Sequence, residues 1–332
     1  MEVLLLTLLI IFFNLIIFLK FENISKNFIF FDNPDGKLKK HKKSVSIIGG
    51  LIILINLYLI IFFLNIISLD NVIFENNFSY IILTLGTIFF VIGFIDDVKN
   101  LSPNLKLILI IISIFFVTLF FPEIKLEIIK ISFLEHFYSF KGFSFIFIIL
   151  SFALLANAIN MFDGINLQLI SFSLFIFLIF ILKGFFPIFF SLVLISFIFL
   201  GLLNYQNKVF IGDGGCYLIS ALIGCSFIFQ YKYFENFLYG DEIFIILLIP
   251  SIDMLRLFLV RILNKKNPFK GDLNHIHHIV NNRFKNSNYT VIISTFLFAF
   301  PSLLLFFELE TYYILIISIF AYTLIIKYLK KN

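Results

Sequence analysis

Apolar runs of about 17–23 residues recur along the whole 332-residue chain, and each is long enough to cross a bilayer as a helix. The chain is 61% hydrophobic, well above the roughly 45–50% of a soluble domain. We therefore expect an all-α polytopic integral membrane protein. Residues 1–332 should form a single membrane domain, with no room for a sizeable soluble one.

The runs predict about eleven transmembrane helices. They cover residues 3–19, 46–67, 79–95, 105–121, 143–160, 166–182, 185–203, 214–231, 242–262, 289–307 and 312–326. The first run lacks a basic leader and a small-residue cleavage site, so we interpret it as a retained helix rather than a signal peptide. Cys216 and Cys225 lie in one apolar run, which makes a disulfide between them implausible.

Alternate loops divide the positive charges unequally. One set, with the adjoining helix ends, holds all but five of the 25 Lys and Arg. The five in the other set are Lys125, Lys130, Lys141, Lys183 and Lys232. The positive-inside rule places the basic set in the cytoplasm, the N-terminus outside and the C-terminus inside. That set comprises 20–45, 96–105, 161–165, 204–213, 263–288 and the tail from Lys327.

The basic loops also carry most of the acidic and imidazole groups. Eight of the ten aspartates lie in these loops or in the spans that adjoin them: Asp32, Asp35, Asp96, Asp97, Asp163, Asp213, Asp253 and Asp272. Four of the five histidines accompany them. This combination suggests metal-assisted chemistry on a phosphorylated substrate at the membrane surface. The basic pI of about 9.0 follows from topology and attraction to anionic lipids, so no nucleic-acid partner is expected.

Asp96 and Asp97 close the third span, and Lys106 begins the next helix. Two adjacent carboxylates near a low-dielectric boundary do not both ionise easily, unless a cation or base shares the charge. One of them can then act as a general base. The alternative is a helix end that simply faces water.

Asn157, Asn160, Asp163 and Asn166 recur every three residues in NAINMFDGIN, which places them near one face of a helix end. Polar groups in an apolar stretch imply either a site or hydrogen bonding between helices. Both interpretations are open from the spacing alone.

The segment FIGDGG, from Phe210 to Gly215, opens the eighth span. Small residues at a helix N-terminus expose N–H groups that suit phosphate. Asp213 is a hard oxygen ligand for Mg²⁺ or Mn²⁺, and Phe210 can stack on a base. The alternative is an ordinary turn.

His275, His277 and His278 follow Asp272 in the longest basic loop. Clustered histidines often indicate zinc, but neither a cysteine partner nor HExxH accompanies them. Phosphate binding and plain surface exposure are the alternatives. Near the N-terminus, Asp32 and Asp35 precede a lysine-rich stretch around His41, which suits either topology or neutralisation of a pyrophosphate.

These five segments, in this order, resemble the polyprenyl-phosphate N-acetylhexosamine-1-phosphate transferases, over residues 32–278. The resemblance implies a UDP-N-acetylhexosamine and undecaprenyl phosphate as substrates, UMP as a product and Mg²⁺ (or Mn²⁺) as cofactor. It implies the cytoplasmic (inner) membrane of a bacterium, membrane lipids as partners and, since members are often dimers, a homodimer. The product would initiate O-antigen or another surface polysaccharide.

The resemblance also assigns residues. It implies catalytic roles for Asp96, Asp97, Asp163, His275, His277 and His278. It implies substrate binding by His41, Lys106, Asn160, Asn166, Phe210 and Asp272. It implies metal binding by Asp213 and Asn160. The histidine pattern is typical of the branch that transfers N-acetylglucosamine-1-phosphate.

The chain departs from the family pattern at several positions. Asn166 stands where bacterial members usually have Asp, and Gly214 replaces the usual Thr. Ser46 replaces a common proline, and the loop from Pro34 to His41 is one residue longer. These changes call the catalytic activity of the chain into question, so an inactive relative of the family is one alternative.

Other functions are weighed against this one. A peptidoglycan phospho-MurNAc-pentapeptide transferase ranks lower, because that enzyme has adjacent histidines. A lipid or sugar transporter would place polar groups near the middle of the bilayer, whereas here they cluster at one face. A prenyl-transferring enzyme would need widely spaced aspartate pairs, which the chain lacks.

Overall fold

The computed structural model describes residues 1–28, 30–34, 44–67, 77–134, 136–268, 273–307 and 309–331. This part of the chain is overwhelmingly helical, which confirms the all-α prediction. Its helices are α1 Glu2–Lys26, α2 Gly49–Ile67, α3 Phe78–Lys99, α4 Pro103–Phe120, α5 Ser144–Phe162, α6 Gln168–Leu182, α7 Pro187–Tyr205, α8 Gly212–Tyr233, α9 Gly240–Ile246, α10 Leu248–Leu263, α11 Ile276–Phe284, α12 Ser287–Leu304 and α13 Thr311–Lys331.

Two short antiparallel ribbons lie in the loops. In the first, β1 (Phe31–Asp32) pairs with β2 (Val45–Ser46), with Phe31 opposite Ser46. In the second, β3 (Ile128–Ile129) pairs with β4 (Tyr138–Ser139) in the loop between α4 and α5. Single 3₁₀ turns at Pro122–Ile124, Lys141–Phe143 and Leu305–Phe307 complete the regular structure of the described residues.

Nine helices within the described residues are long and apolar enough to cross a membrane. All eleven predicted segments fall on apolar helices, but α6 has only 15 residues. The segment 242–262 is divided into α9 and α10, which meet at an angle of 75°. Pro250, in the first turn of α10, has no N–H to donate to the preceding turn, so a continuous helix is interrupted there. The number of crossings, eleven, stays a prediction.

Helix α8 forms the centre of the bundle and is more fully buried than the other spans among the described residues. It packs against α2, α3 and α5. Glycines allow the closest approaches, as is common between membrane helices. A Cβ atom on Gly93 would lie only 2.3 Å from the backbone oxygen of Asp213, and one on Gly50 only 2.4 Å from the nitrogen of Gly215. These contacts seat the N-terminus of α8 against α2 and α3.

A buried polar cluster joins α1, α2 and α7 within the apolar bundle. Asn14 Nδ2 donates to Asn56 Oδ1 at 2.8 Å, and the Asn56 amide donates back at 3.2 Å. Ser196 Oγ donates to the same Asn56 oxygen at 2.9 Å. Asn14 and Asn56 are each only 1% exposed, so the cluster satisfies polar groups that lipid cannot.

The loops of the basic set meet at one end of the bundle. Lys208, after α7, lies 3.3 Å from Glu22 of α1, and the Phe210 N–H donates to the Ser46 carbonyl at 2.8 Å. The opposite end brings the other loops together, as when Asn77 donates to Glu123 at 2.8 Å. Which end faces the cytoplasm stays a prediction.

Candidate active site

A cavity of about 620 Å³ lies at the end of the bundle where the basic loops meet. Most of the predicted site residues line it. These are Asp96, Asp97, Lys106, Asn160, Asp163, Asn166, Phe210, Asp213 and His278. They come from five separate stretches of sequence, so helix packing alone brings them together. Their individual roles remain predictions.

Lys106 lies between two carboxylates from different helices. Its Nζ forms an ion pair with Asp96 Oδ2 and lies 3.4 Å from Asp213 Oδ2. The other Asp96 oxygen accepts the Leu101 N–H at 2.7 Å. Asp96 is buried, whereas the side chains of Lys106 and Asp213 are 25% and 32% exposed, so the latter two remain accessible from the cavity.

Asp97 binds the N-terminus of α8. Its Oδ1 accepts the Asp213 N–H at 2.9 Å, and its Oδ2 accepts the Gly214 N–H at 3.1 Å. These N–H groups lack partners within their own helix, and an anion at this position is stabilised by the helix dipole. Gly212 has φ of +74°, and a Cβ atom there would lie 2.7 Å from Asp97 Oδ2. Asp97 therefore holds the backbone that carries Asp213.

Asp163 follows the C-terminus of α5 and accepts a hydrogen bond from the Cys216 thiol, with Sγ 3.4 Å from Oδ2. Burial raises the pKa of the Asp163 carboxyl to about 6, and the nearby Asp97 charge adds to the rise. Sequence reasoning missed Cys216, although it follows Asp213 by three residues and so shares its helix face.

The predicted amides differ in their surroundings. Asn160 has a buried Nδ2 with no hydrogen-bond partner among the described residues. Asn166 Nδ2 donates to the Asn204 carbonyl at 2.9 Å and to Asn207 Oδ1 at 2.7 Å. Asn157, by contrast, donates to the Ala153 carbonyl of its own helix at 2.7 Å. Asn166 thus connects two loops, while Asn160 retains a donor for a ligand.

The histidine motif is divided by the fold. His278 lines the cavity, whereas His275 and His277 are buried outside its lining. His275 Nδ1 lies 2.8 Å from Asp253 Oδ2, and His277 Nδ1 lies 3.3 Å from Gln168 Nε2.

Burial lowers the pKa of His277 well below its ordinary value, so this imidazole is neutral at pH 7. A Cβ atom on Gly164 would lie 1.8 Å from His277 Nε2, so glycine is required at that position. The remaining two predicted site residues, His41 and Asp272, lie outside the described residues.

The cavity offers hard oxygen ligands that fit a divalent cation. Asp213 and Asn160 both line it, and each side chain carries an oxygen atom that could bind the cation. Among the described residues, no three His, Cys, Asp or Glu side chains form a ready metal site. Mg²⁺ commonly binds through one or two carboxylates together with substrate phosphates and water, so this sparse set suits it better than zinc.

The fold and the cavity together define a polytopic membrane protein with a charged cavity at one end of its helix bundle. Comparison with known proteins shows what the chain is similar to. The model of glycosyl transferase family 4 matches residues 79–230, which contain most of the cavity-lining residues.

A curated relative from Thermotoga maritima is named undecaprenyl-phosphate alpha-N-acetylglucosaminyl 1-phosphate transferase. It is 26% identical over 271 residues, which cover 80% of this chain and 78% of the relative. The matched length includes most of the helices described above.

Proposed function

We propose that the protein transfers an N-acetylhexosamine-1-phosphate from a UDP-sugar to undecaprenyl phosphate, giving undecaprenyl-pyrophosphoryl-sugar and UMP. The observation that carries the proposal is the cavity itself. In it, Lys106 bridges Asp96 and Asp213 beside the separate carboxylate of Asp163. The match to the model of glycosyl transferase family 4 and the name of the Thermotoga maritima relative support this reaction and the lipid acceptor.

The reaction requires little covalent chemistry from the protein. An oxygen of the lipid phosphate attacks the phosphorus that carries the sugar. The bond from that phosphorus to the bridging oxygen breaks, and UMP leaves with the oxygen. Catalysis of such transfers rests on positioning and on neutralising charge.

Each residue has a distinct role in the proposal. Lys106 faces the phosphates, and the charges of Asp96 and Asp213 hold its ammonium group in place. Asp97 fixes the start of α8 and thereby Asp213. Asp163 accepts the proton of the lipid phosphate, because a pKa of about 6 lies near that of a phosphate monoester.

Asp213 and Asn160 would hold a divalent cation, which when bound neutralises the negative charge on the pyrophosphate of the donor. Phe210, beside this position in the cavity, is suited to stack on the uracil ring. His278 and the exposed edge of the cavity would contact the sugar or its phosphate.

The proposal extends to the cellular setting. We propose that the cavity faces the cytoplasm at the bacterial inner membrane; the excess of Lys and Arg in the basic loops supports this orientation. The product would start O-antigen or another cell-surface polysaccharide. N-Acetylglucosamine is the favoured sugar, since the T. maritima relative carries that sugar in its name.

The test uses purified protein in detergent with undecaprenyl phosphate, Mg²⁺ and a panel of UDP-N-acetylhexosamines, and it measures UMP release. We expect release that needs both the lipid and the metal, with one sugar preferred. Asp213→Asn should abolish it, whereas Lys327→Ala should retain it, because Lys327 does not line the cavity.

Two results would contradict the proposal. Folded protein that released no UMP with any sugar would exclude transfer from these donors. Release that was independent of the lipid would indicate hydrolysis, with water in place of the lipid phosphate.

A further inference from the structure

A buried polar cluster joins three helices behind the wall of the cavity. Asp253 of α10 is its centre and is only 2% exposed. Its Oδ1 accepts the Tyr322 hydroxyl of α13 at 2.5 Å, and its Oδ2 lies 2.8 Å from His275 Nδ1. These residues are separated by 69 and 22 positions in the sequence, so the cluster forms only in the folded protein.

Arg256 completes the cluster. Its Nη2 donates to Asp253 Oδ1 at 2.8 Å and to the Asn274 carbonyl at 2.7 Å, and its Nε donates to the Tyr322 oxygen at 3.0 Å. The carboxylate and the guanidinium neutralise each other. A buried network with all its members bonded is rigid, and removal of one partner leaves another without compensation.

The same carboxylate holds the beginning of α11. His275 is the residue that precedes this helix, and Asp253 Oδ2 also lies 3.4 Å from the Ile276 nitrogen, the first N–H of α11. A carboxylate only accepts hydrogen bonds, so Nδ1 of His275 carries the proton. An acidic group on α10 therefore caps a helix that belongs to a different part of the chain.

Helix α11 forms one wall of the cavity. His278 and Asn281 line it, and Thr290 of α12 donates to Asn281 Oδ1 at 3.3 Å. On the other side, His277 packs against Gly164, the residue after Asp163. Any shift of α11 consequently changes the distance between His278 and Asp163.

The geometry points to Asp253, Arg256 and Tyr322 as positioning residues for the transfer reaction, which act through α11 to hold His278 at the cavity. Asp253 and Tyr322 do not line the cavity themselves. The inference rests on the proposed function and adds to it a contribution from the C-terminal helix α13. That helix carries no residue of the cavity lining, so its effect on catalysis is indirect.

The first test measures hydrogen exchange and does not depend on activity. Tyr322→Phe removes one hydroxyl from the cluster and keeps the ring. We expect faster amide exchange in α11 in this variant, with exchange in α5 and α8 unchanged. Tyr328→Phe is the matched control, because Tyr328 lies on the same helix and is 66% exposed. It should leave exchange in α11 as it is in the unaltered protein.

The second test is a double-mutant cycle on UMP release. Tyr322→Phe should lower kcat by about tenfold while the KM for the UDP-sugar changes less than about twofold, since the effect lies in alignment rather than in binding. In a His278→Ala background the same change should have almost no effect, because the residue through which it acts is gone. Asp253→Asn should behave similarly and more strongly.

The outcomes separate this inference from the proposed function. Unchanged exchange in α11, or equal losses of kcat in both His278 backgrounds, would overturn the positioning role. Exchange in α11 could become faster in Tyr322→Phe while even the unaltered protein released no UMP. The cluster of Asp253, Arg256 and Tyr322 would then hold α11 as a structural feature only. The proposed function, and with it the role in transfer, would be wrong.

Discussion

At the scale of single residues, carboxylates outnumber ammonium groups in the described lining of the cavity. Lys106 is the cation that the described cavity lining contributes, and two carboxylates surround it. Asp97 accepts backbone N–H groups of α8, and the donor that the described residues offer to Asp163 is the weak Cys216 thiol. Carboxylates of the same type therefore have different tasks because their partners differ.

Lys106→Gln should lower UMP release by about 100-fold, which is typical for loss of a group that stabilises developing charge. The neutral amide leaves Asp96 and Asp213 without their shared cation. Lys99→Gln is the matched control, since Lys99 is exposed near the end of α3. Steady-state kinetics of both variants measure the effect, and equal rates would remove Lys106 from the reaction.

Cys216→Ser should shift the acidic limb of the pH–rate profile to lower pH. A hydroxyl is a stronger donor than a thiol, so it stabilises the charged Asp163 carboxylate and lowers its pKa from about 6. Cys225→Ser, on the same helix but outside the cavity, should leave the profile unchanged. A profile that did not move in Cys216→Ser would mean that Asp163 does not set the acidic limb.

At the scale of helices, polar groups within the membrane connect elements that apolar packing alone would leave free to slide. The cluster of Asn14, Asn56 and Ser196 connects α1, α2 and α7. Gly93 and Gly50 let α8 approach its neighbours closely. The hydrogen bonds fix the position of the helices along the bundle, and the glycines fix the spacing between helices.

Asn56→Ala should reduce the free energy of unfolding by about 1 kcal/mol, in line with hydrogen bonds between membrane helices. The loss arises because Asn14 and Ser196 each lose a partner in a buried setting. Asn65→Ala is the control on the same helix, where the side chain is exposed. Denaturation in detergent measures the free energy of unfolding of both variants. Equal values would contradict a stabilising role of the Asn56 hydrogen bonds.

At the scale of the whole molecule, the buried His277 makes the stability of the folded protein depend on pH. The folded protein keeps His277 neutral because its pKa is well below the ordinary value, whereas the unfolded chain takes up a proton near pH 6.5. The unfolded state then binds more protons, so stability contributed by this site falls as pH decreases below about 6.5.

The His277→Gln variant should therefore lose less thermal stability than the unaltered protein between pH 7 and pH 5. Asp163 acts in the opposite direction, since its raised pKa favours the folded state at low pH, so the difference between the two proteins isolates His277. His136→Gln, at an exposed position, is the control. Parallel melting curves at all pH values would exclude this source of acid sensitivity.

Much of the architecture followed from local patterns. Apolar length predicted where helices would lie. The unequal distribution of Lys and Arg predicted which loops share one side of the membrane, and described residues from several of these loops line the cavity. Both properties are readable because periodicity and charge act over a few residues, within one helix or one loop. The resemblance to a known family assigned the motifs around Asp96, Asp163 and Asp213 to one site, and these residues line one cavity in the structure.

Other features depended on contacts between distant residues. The partners of Lys106 include Asp213, 107 positions away, and no spacing rule predicts that pair. The histidine motif looked uniform, yet the fold turned His278 to the cavity and buried His275 against Asp253. Tyr322 had no motif at all.

By itself the sequence determined that this chain spans a membrane and gathers its charges at one face, because lipid demands apolar helices whatever their arrangement. The tertiary structure decided which charge pairs with which, where helix α9–α10 bends, and which histidine reaches the cavity. Those outcomes depend on distances of a few ångströms between packed helices, since electrostatic and hydrogen-bond energies are set by separation in space and not by order along the chain.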